Sequence, residues 1–375
     1  MLILFLKIKK NFQNLFKSLA QKIFKMIYGE INTDDSYSMQ NLKVYDIDNK
    51  NINTFFGGNY KIYQVNFGRI YNDNVQNVAI INKNKIINGP SYQQIEGDLK
   101  DADHNICLKI GTPRIKKKFR GRVLNLAQGA SGHNNFSHWL LDMLPKLKLY
   151  SEVFNHDDLD YLYLNKLKSF QKKSLELLGF QNLKIIDSNY YRHIECDELI
   201  ATQHPSYFSG FILDQAKYVP NWIVKWLRDS FLKKSKKINM KKNIFIDRSL
   251  SSFKHSQIIN LEEVQNLLKE KSFDIVKLEN LSFDEQIYVF SNAKIVVGAH
   301  GAGLTNLCFS KEKTKVIEIR STEPGYGFQN KVYERISEIN NLNYSLLSTP
   351  YLSKKNINGD LFVDLKVLND QLKDI

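Results

Sequence analysis

The sequence of 375 residues contains few cysteines and no long apolar run. Its three cysteines, Cys107, Cys196 and Cys308, form neither a C-x-x-C pair nor a metal-binding pattern. This spacing favours buried thiols in a reducing compartment over a disulfide-stabilised secreted fold. Because no run of about 18 apolar residues occurs, no transmembrane helix is predicted. The length suits two domains of ordinary size, each with its own core.

Several catalytic and nucleotide-binding motifs are also missing. No G-x-G-x-x-G turn opens a βαβ unit, which argues against a nicotinamide-dependent oxidoreductase. No Gly-Lys-Ser/Thr follows a glycine-rich loop, so a P-loop is excluded. The residues around Ser131 lack the G-x-S-x-G spacing of a serine hydrolase. His133 and His138 are five apart with no Glu between them, so no metal site is predicted there.

Acidic residues are outnumbered, with 39 Asp and Glu against 53 Lys and Arg, which gives a formal net charge of +14. Such a charge indicates an anionic partner: a membrane surface, a nucleic acid or a phosphorylated substrate. A lysine-rich composition without functional meaning is the alternative. Because no recognised nucleic-acid-binding motif accompanies the basic stretches, we expect no nucleic-acid partner.

The N-terminal stretch has no acidic residue before Glu30. Across residues 1–27, apolar residues recur at steps of three and four, and lysines fill much of the remainder. This pattern predicts a basic amphipathic helix within residues 1–30 that lies in the interface of an anionic membrane. The alternative is a helix docked on the protein's own core. We therefore expect a cytoplasmic protein, peripheral at the inner face of the plasma membrane.

The remaining chain divides into two predicted α/β domains. Residues 31–238 begin with a β-rich lead-in and continue in the order β-α-β-α-β, which predicts a parallel sheet flanked by helices. A strongly basic stretch then marks the boundary. Residues 239–375 repeat the alternation, which predicts a doubly wound domain.

A stretch over residues 294–310 has the features of an anion site. Residues 295–297 are β-branched and predict a buried strand, and residues 304–309 predict the first turns of a helix. Glycines in the intervening loop let the backbone approach a phosphate, and the helix dipole favours negative charge. We expect His300 and the first helical turn to face this opening. A tight strand-to-helix turn without a ligand is the alternative. The candidate residues are His300, Gly301, Ala302, Gly303, Leu304, Thr305 and Asn306.

Arg248 follows a predicted strand of the same domain. An arginine at the carboxyl end of a strand can bind a diphosphate with its planar fork of N–H donors. The alternative is a surface salt bridge.

The segment from Asn134 to Pro145 is a second candidate cluster. Asn134 or Asn135 is predicted to cap a helix on which His138 and Asp142, four residues apart, share one face. A carboxylate and an imidazole placed in this way could supply a general base. The alternative is a histidine braced by its aspartate. Pro145 lacks a backbone N–H and predicts a kink or an early helix end.

Four motifs resemble, in the same order, the signatures of glycosyltransferase family 61 (the DUF563 group). Their shared order is more specific than any one of them. The sequence departs from the family pattern at Ser137, where an aromatic residue is common, and at Lys146, where arginine is common. These departures leave the acceptor side open. The motifs are Asn135–Pro145, Asp247–Ser249, Leu281–Ile287 and Gly298–Asn306. Between the second and the third lies a predicted helix capped by Asn260 with Glu263, which is also part of the resemblance.

The resemblance implies an inverting glycosyltransferase of the GT-B type, with two Rossmann-like domains facing each other across a cleft. It implies that the C-terminal domain holds a nucleotide sugar, which we expect to be a UDP-sugar, without an essential metal or other cofactor. Because bacterial relatives are commonly assigned to capsular or lipopolysaccharide assembly, the expected acceptor is a hydroxyl of a cell-surface glycan or glycolipid.

The same resemblance assigns roles to the candidate residues. Arg248, His300 and the backbone of residues 301–306 would stabilise the leaving diphosphate, and Glu318 is a candidate for binding the ribose. Asp142 is the first choice for the base and His138 the second. Acceptor-side candidates are His133 and Asn135. A non-catalytic, membrane-associated nucleotide-binding scaffold of a polysaccharide assembly complex is the alternative, but such a protein would need neither His138 nor Asp142.

Overall fold

The computed structural model forms two compact units whose segments alternate along the chain. The first unit comprises residues 1–133, 142–166 and 183–212, and the second comprises 134–141, 167–182 and 213–375. The predicted boundary was a single division after residue 238, whereas residues 213–238 lie in the second unit. The residues that the structure describes are 2–34, 40–72, 77–127, 134–207, 210–211, 216–251, 256–321, 331–349 and 359–373.

Short helices and strands alternate along most of the described chain. The α-helices are α1 (Leu2–Tyr28), α2 (Cys107–Ile110), α3 (Phe136–His138), α4 (Pro145–Ser151), α5 (Ser169–Leu177), α6 (Asn221–Phe231), α7 (Leu261–Glu270), α8 (Phe283–Asn292), α9 (Val332–Ile339) and α10 (Leu365–Gln371). A π-helix spans Trp139–Met143, and 3-10 helices span Ala102–His104, His156–Asp158, Ala216–Tyr218, Leu232–Lys234, Leu278–Asn280 and Ala302–Phe309.

Strands β1 to β13 lie in the first unit, and β14 to β18 lie in the second. The first set is β1 (Asn32–Asp34), β2 (Leu42–Asp46), β3 (Lys61–Asn66), β4 (Arg69–Tyr71), β5 (Asn77–Asn82), β6 (Lys85–Ile87), β7 (Tyr92–Ile95), β8 (Asp98–Lys100), β9 (Lys117–Asn125), β10 (Tyr161–Leu164), β11 (Lys184–Asp187), β12 (His193–Thr202) and β13 (Gly210–Phe211). The second set is β14 (Asn243–Ile246), β15 (Asp274–Val276), β16 (Ile295–Ala299), β17 (Lys315–Arg320) and β18 (Asn343–Ser348).

The sheet of the first unit is mixed. Its described strands β9, β10, β11 and β12 pair in parallel, as the β-α-β-α-β pattern predicted. The β-rich lead-in joins the same sheet, because β12 also pairs antiparallel with β3 and β4. Among the residues described, this sheet has 13 strands, whereas a Rossmann-like sheet was expected for this part of the chain. Every residue of β5 is buried, which accounts for its nearly continuous apolar run.

The sheet of the second unit is parallel in its described strands and has the order β15-β14-β16-β17-β18. In order of sequence within the unit this is 2-1-3-4-5, a doubly wound arrangement, as predicted for residues 239–375. Its hydrophobic core joins Phe245, Val297 and Ile317 of the strands to Val264 of α7 and Leu368 of α10. In such a sheet, ligands bind at the carboxyl ends of the strands where the strand order reverses. Here that position lies between β14 and β16.

Helix α1 packs on the first unit through its last turns. The Tyr28 hydroxyl accepts a hydrogen bond from the backbone N–H of Lys116 at 3.0 Å, and the Tyr28 ring lies 5.1 Å from that of His193. Residues 10–19 are exposed throughout, and the helix exposes an apolar stripe at steps of three and four residues. The stripe consists of Phe12, Leu15, Phe16, Leu19, Ile23, Met26 and Ile27. A helix is therefore present over Leu2–Tyr28, and the side chains of this stripe are exposed, while contact with a membrane stays a prediction.

The cysteines and the lengths of the helices bear on two further predictions. Cys107, Cys196 and Cys308 are free and buried, as predicted. Among the residues that the structure describes, no helix is long and apolar enough to cross a membrane.

Candidate functional site

The glycine loop lies at the carboxyl ends of β14 and β16, where the strand order of the second sheet reverses. Strand β16 is buried at every position, because its β-branched residues fill the centre of the parallel sheet. The chain then leaves the sheet through His300 and Gly301. Arg248 follows the neighbouring strand β14 at the same edge. The fold therefore brings together the two features that the sequence proposed separately.

Arg248 lies directly against the glycine loop. One guanidinium N–H of Arg248 donates a hydrogen bond to the backbone carbonyl oxygen of His300. An ideal Cβ placed on Gly301 would lie only 2.4 Å from Arg248 Cζ and 2.6 Å from its Nε. A real side chain at this position would therefore displace the guanidinium. Gly301 is required here for close packing, since its φ of 164° is extended backbone that any residue can adopt.

The turn that carries Arg248 is fixed by its neighbour Asp247, which is buried. Asp247 Oδ1 accepts a hydrogen bond from the backbone N–H of Ser249 at 2.8 Å. Its Oδ2 accepts one from Gln265 Nε2 at 3.2 Å and lies 3.5 Å from Lys277 Nζ. An aspartate that bonds to the backbone two residues on stabilises a turn. We infer from these contacts that Asp247 positions Arg248.

His300 is held by a buried carboxylate. Its Nδ1 lies 2.5 Å from Glu318 Oε1, and Glu318 Oε2 accepts a hydrogen bond from the Tyr344 hydroxyl at 2.6 Å. Burial raises the pKa of Glu318, but the hydrogen bond from His300, the charges of His300 and Arg320 and the Tyr344 hydroxyl together hold it below its ordinary value. An ionised carboxylate only accepts hydrogen bonds, so it fixes the proton of His300 on Nδ1. Burial and the charge of Glu318 raise the pKa of Tyr344.

Glu318 was a candidate for binding a ribose. Both of its oxygens contact protein donors, and the side chain is 1% exposed. A ribose hydroxyl would have to replace one of these bonds. The geometry therefore favours a positioning role for Glu318, with its effect transmitted through His300.

The predicted helix after the glycine loop is a 3-10 helix over Ala302–Phe309, which begins two residues earlier than expected. The backbone N–H groups at the start of a helix have no acceptor within that helix, so they are still available to bind an anion. Thr305 and Asn306 were expected to face the opening, but both side chains are fully buried. Asn306 Nδ2 donates hydrogen bonds to Gln286 Oε1 at 3.0 Å and to the carbonyl of Gly303 at 3.1 Å. Asn306 therefore supports the loop from inside.

The second cluster departs from a regular helix. Of the two predicted caps, Asn134 and Asn135, the structure has Asn135 at the start of α3. Its Oδ1 accepts hydrogen bonds from the N–H groups of Ser137 at 2.8 Å and His138 at 3.3 Å. A π-helix then spans Trp139–Met143, and α4 begins at Pro145. The proline cannot donate to a carbonyl in the preceding turn, so the helix changes its hydrogen-bond pattern there. His133 lies outside the described residues.

Asp142 and His138 differ in burial. Asp142 is 2% exposed, and its Oδ1 accepts a hydrogen bond from Ser206 Oγ at 2.5 Å. His138 is half-buried. A base must come within hydrogen-bond distance of the proton that it removes. Accessibility therefore favours His138, which the sequence ranked second.

Lys146 is a buried lysine that sequence reasoning treated only as a departure from the family pattern. Its Nζ donates hydrogen bonds to the carbonyls of Ala127 at 2.8 Å and Leu126 at 3.4 Å. Burial lowers the pKa of Lys146 to about 7, and the charge of Asp142 opposes this shift. In the sequence, the electrostatic interaction of Lys146 with Asp142 is indicated by their spacing of four residues.

We expect Lys146→Met to reduce the pH dependence of stability. Because the pKa of Lys146 falls from 10.5 to about 7 on folding, the unfolded chain binds more protons between these two pH values. The free energy of unfolding therefore rises with pH across this window and is lowest, as far as Lys146 is concerned, at and below its acid end. Urea unfolding at both ends of the window should give a smaller rise in the variant than in the unmodified protein. Lys166→Met, at an exposed position, is the matched control; equal rises in all three proteins would contradict the expectation.

No group of three or more His, Cys, Asp or Glu residues able to hold a metal ion occurs in the described part of the chain. That no metal is essential stays a prediction from the family resemblance.

Part of the chain matches a family model. Residues 136–317, just under half of the chain, match the model of the family Glycosyltransferase 61. The matched region contains His138, Asp142, Arg248 and His300. This match supports the family assignment that the ordered motifs predicted.

Two relatives match over shorter stretches. An EGF domain-specific O-linked N-acetylglucosamine transferase of Gallus gallus is 36% identical over 74 residues, which is 18% of this chain and 14% of the relative. A beta-1,2-xylosyltransferase of Arabidopsis thaliana is 34% identical over 67 residues, which is 18% of this chain and 12% of the relative. The chain thus matches only a small part of each relative's length. Together with the family match, they support a glycosyltransferase, but they do not support a bacterial capsular or lipopolysaccharide type.

The solved structures that match include a bacterial glycosyltransferase. It is the bacterial iron-containing dodecameric glycosyltransferase TibC from enterotoxigenic E. coli H10407, with 10% sequence identity and a TM-score of 0.30. The alignment covers 78% of this chain and 80% of that chain. A similarity at this level carries no argument about the site.

Proposed function

We propose that this protein is an inverting glycosyltransferase that moves a sugar from a nucleotide-sugar donor, a UDP-sugar in our proposal, to a hydroxyl of a glycan or glycolipid. The observation that carries the proposal is the contact of Arg248 with the loop of His300 and Gly301 at the carboxyl edge of a parallel sheet. The match of residues 136–317 to the family Glycosyltransferase 61 supports it.

The donor side of the proposed reaction uses the second unit. When the acceptor oxygen bonds to the anomeric carbon, the bond from that carbon to the diphosphate breaks, and negative charge develops on the leaving group. The Arg248 guanidinium, the His300 ring and the first N–H groups of the 3-10 helix would stabilise this charge. Glu318 and Tyr344 would keep the ring of His300 in one orientation.

The acceptor hydroxyl loses a proton in the same step, and a base must take it. His138 is our first candidate because it is half-buried, whereas Asp142 is almost fully buried and bonded to Ser206. Asp142 remains the second candidate. Asn135 caps the turn that carries His138 and would keep it in place.

The proposal includes attachment to an anionic membrane at the inner face of the plasma membrane. The exposed apolar stripe of α1 supports it, as do the exposed lysines Lys10, Lys17 and Lys22. A helix with an apolar and a basic side can lie in the interface of a membrane that carries negative charge. An acceptor used in capsular or lipopolysaccharide assembly would be available at this surface.

A thermal-shift screen of the full chain against UDP, GDP, CMP, ADP and NAD, with and without EDTA, tests the donor site. A ligand at about 100 times its dissociation constant stabilises the native state by about 2.7 kcal/mol. We expect one nucleoside diphosphate to raise the melting temperature both with and without EDTA. A shift with NAD alone, or no shift with any nucleotide, would contradict the proposal.

His138→Ala should lower kcat by about 10²–10⁴-fold, as expected for loss of a general base, with the nucleotide-induced thermal shift unchanged. Asp142→Asn is the comparison. If Asp142 is instead the base, Asp142→Asn will show the larger loss and His138→Ala will retain activity. Ser206→Ala, which removes the hydrogen-bond donor to Asp142, controls for loss of packing around that carboxylate. Full turnover in both His138→Ala and Asp142→Asn would exclude this segment as the source of the base.

A further inference from the structure

A cavity of about 410 Å³ lies at the base of α1 in the first unit. It is formed where the last turn of α1 meets the turn after β3 and the turn after β5. Its lining includes Tyr28, Phe67, Arg69, Lys83, Lys116 and Glu195. We call it the α1-base cavity.

The α1-base cavity is positively charged. Arg69 is buried, and its guanidinium is fixed by hydrogen bonds to His193 Nε2 at 3.2 Å, to the carbonyl of Lys83 at 2.7 Å and to Thr112 Oγ1 at 3.0 Å. Burial lowers the pKa of His193 to about 3, so this partner adds no charge of its own. Arginine remains protonated in proteins, so the bonds to Arg69 hold a fixed positive charge beneath the cavity.

Two lysines and one carboxylate complete the charged lining. Lys116 pairs with Glu195, whose other oxygen lies 3.1 Å from Lys118 Nζ. Lys83 is exposed. The single acidic residue of the lining is therefore balanced by lysines, and the charges of Arg69 and Lys83 remain in excess. This arrangement favours a ligand with at least one negative charge.

The rim of the α1-base cavity is apolar and exposed. Of the lining residues, Phe67 is 64% exposed and Ile27 is 60% exposed. Ile27 also belongs to the apolar stripe of α1, so cavity and stripe form a continuous surface. A soluble phosphate compound has no apolar chain that could pack against such a rim. A phospholipid has such chains, because its charged headgroup is joined to apolar acyl chains.

Two residues of the cavity have a left-handed backbone that is unfavourable for their types. Phe67 has φ of 56° and lies between β3 and β4, which both pair with β12. Lys83 has φ of 54° and lies in the hairpin turn between β5 and β6. Glycine or asparagine occupies such positions at lower cost. Strained positions that keep a bulky or charged side chain occur at ligand-binding sites more often than elsewhere. Here they place an aromatic ring and an ammonium group at the cavity.

We infer that the α1-base cavity binds the phosphate group of an anionic phospholipid, whose acyl chains lie against the exposed apolar stripe of α1. This inference rests on the membrane attachment proposed above and adds a site for one lipid headgroup to it. The helix would supply general attraction to the membrane, and the cavity would supply preference for a phosphate headgroup of negative charge.

Sedimentation of the full chain with vesicles tests the inference. The vesicles contain phosphatidylcholine alone or phosphatidylcholine with phosphatidylglycerol. Lys83→Asn and Phe67→Asn remove the ammonium group and the aromatic ring, while asparagine suits the left-handed backbone at both positions. We expect Lys83→Asn to weaken binding to phosphatidylglycerol vesicles about fivefold, as for one lysine near an anionic surface. Phe67→Asn should weaken binding to these vesicles by more than Lys83→Asn does.

Lys313→Asn is the matched control, because Lys313 is also an exposed lysine with a left-handed backbone, φ 64°, but lies in the second unit. If Lys83→Asn and Phe67→Asn bind these vesicles as tightly as Lys313→Asn, α1 alone attaches the protein and the inference is wrong. A thermal shift with free glycerol phosphate that is lost in Lys83→Asn, without a change in vesicle binding, would assign the cavity to a soluble phosphate instead. If the unmodified chain binds no anionic vesicles, the inference and the membrane attachment both fail. The nucleotide screen tests sugar transfer separately.

Discussion

Arg248→Ala should lower the rate of sugar transfer by about 10²–10³-fold, the usual loss when one donor to a developing negative charge is removed. The Arg248 side chain contacts the glycine loop, at the place where the diphosphate of the donor is proposed to bind. The same change should abolish or greatly reduce the thermal shift with the nucleoside diphosphate. Steady-state kinetics and thermal shift on the purified full chain measure both effects.

Two further variants separate charge from geometry at this position. Arg248→Lys keeps the positive charge but loses the planar fork, so it should recover only part of the activity. Arg120→Ala removes an arginine from an exposed position on β9 and should behave like the unmodified protein. Unchanged turnover and an unchanged thermal shift in Arg248→Ala would show that the glycine loop does not bind the donor with this residue.

Gly301→Ala should reduce activity by about 10²-fold, because displacing a group by about 1 Å in an active site can have that effect. The added methyl group would lie 2.4 Å from Arg248 Cζ, whereas the extended backbone at this position accepts alanine without strain. The loss should therefore come from displacement of Arg248 and not from a change in the loop itself. Kinetics and the melting temperature of the variant test this distinction.

A double variant gives the sharper test. If Gly301→Ala acts through Arg248, it should cost little further activity in a protein that already carries Arg248→Ala, because coupled residues are not additive. Gly58→Ala is the matched control, since the nearest atom to a Cβ there is Thr54 Oγ1 at 3.4 Å. Full activity of Gly301→Ala, or additive losses in the double variant, would contradict a role for Gly301 in seating Arg248.

The local features of the donor site could be predicted from the sequence. The β-branched run of β16, the glycines after it and Arg248 after β14 all lie close together along the chain or at equivalent strand ends. Parallel strands bring their carboxyl ends to one edge, so sequence order alone placed these residues together. A helix cap at Asn134 or Asn135 was predicted for a similar reason, because capping depends on only the next few residues, and the structure has it at Asn135.

Features that depend on distant partners could not be predicted. Asn260 looked like a helix cap with Glu263, but its side chain bonds to the backbone of Val363 at 2.9 and 3.0 Å. The lead-in strands join one mixed sheet through pairings such as β3 with β12, which are far apart in sequence. The role of Glu318 depends likewise on Tyr344 of the next strand. No local pattern specifies such contacts.

The alternation of the two units along the chain has a consequence for biosynthesis. A ribosome releases the chain from its N-terminus, and domains generally fold as units when their residues have emerged. The first unit has all of its residues once residue 212 is outside the ribosome, but segments 134–141 and 167–182 must wait for strands that begin at Asn243. Phe136, for example, packs against Phe283, which is made much later. The two early segments therefore emerge before the residues that they pack against, and the proposed donor site forms later than the first unit.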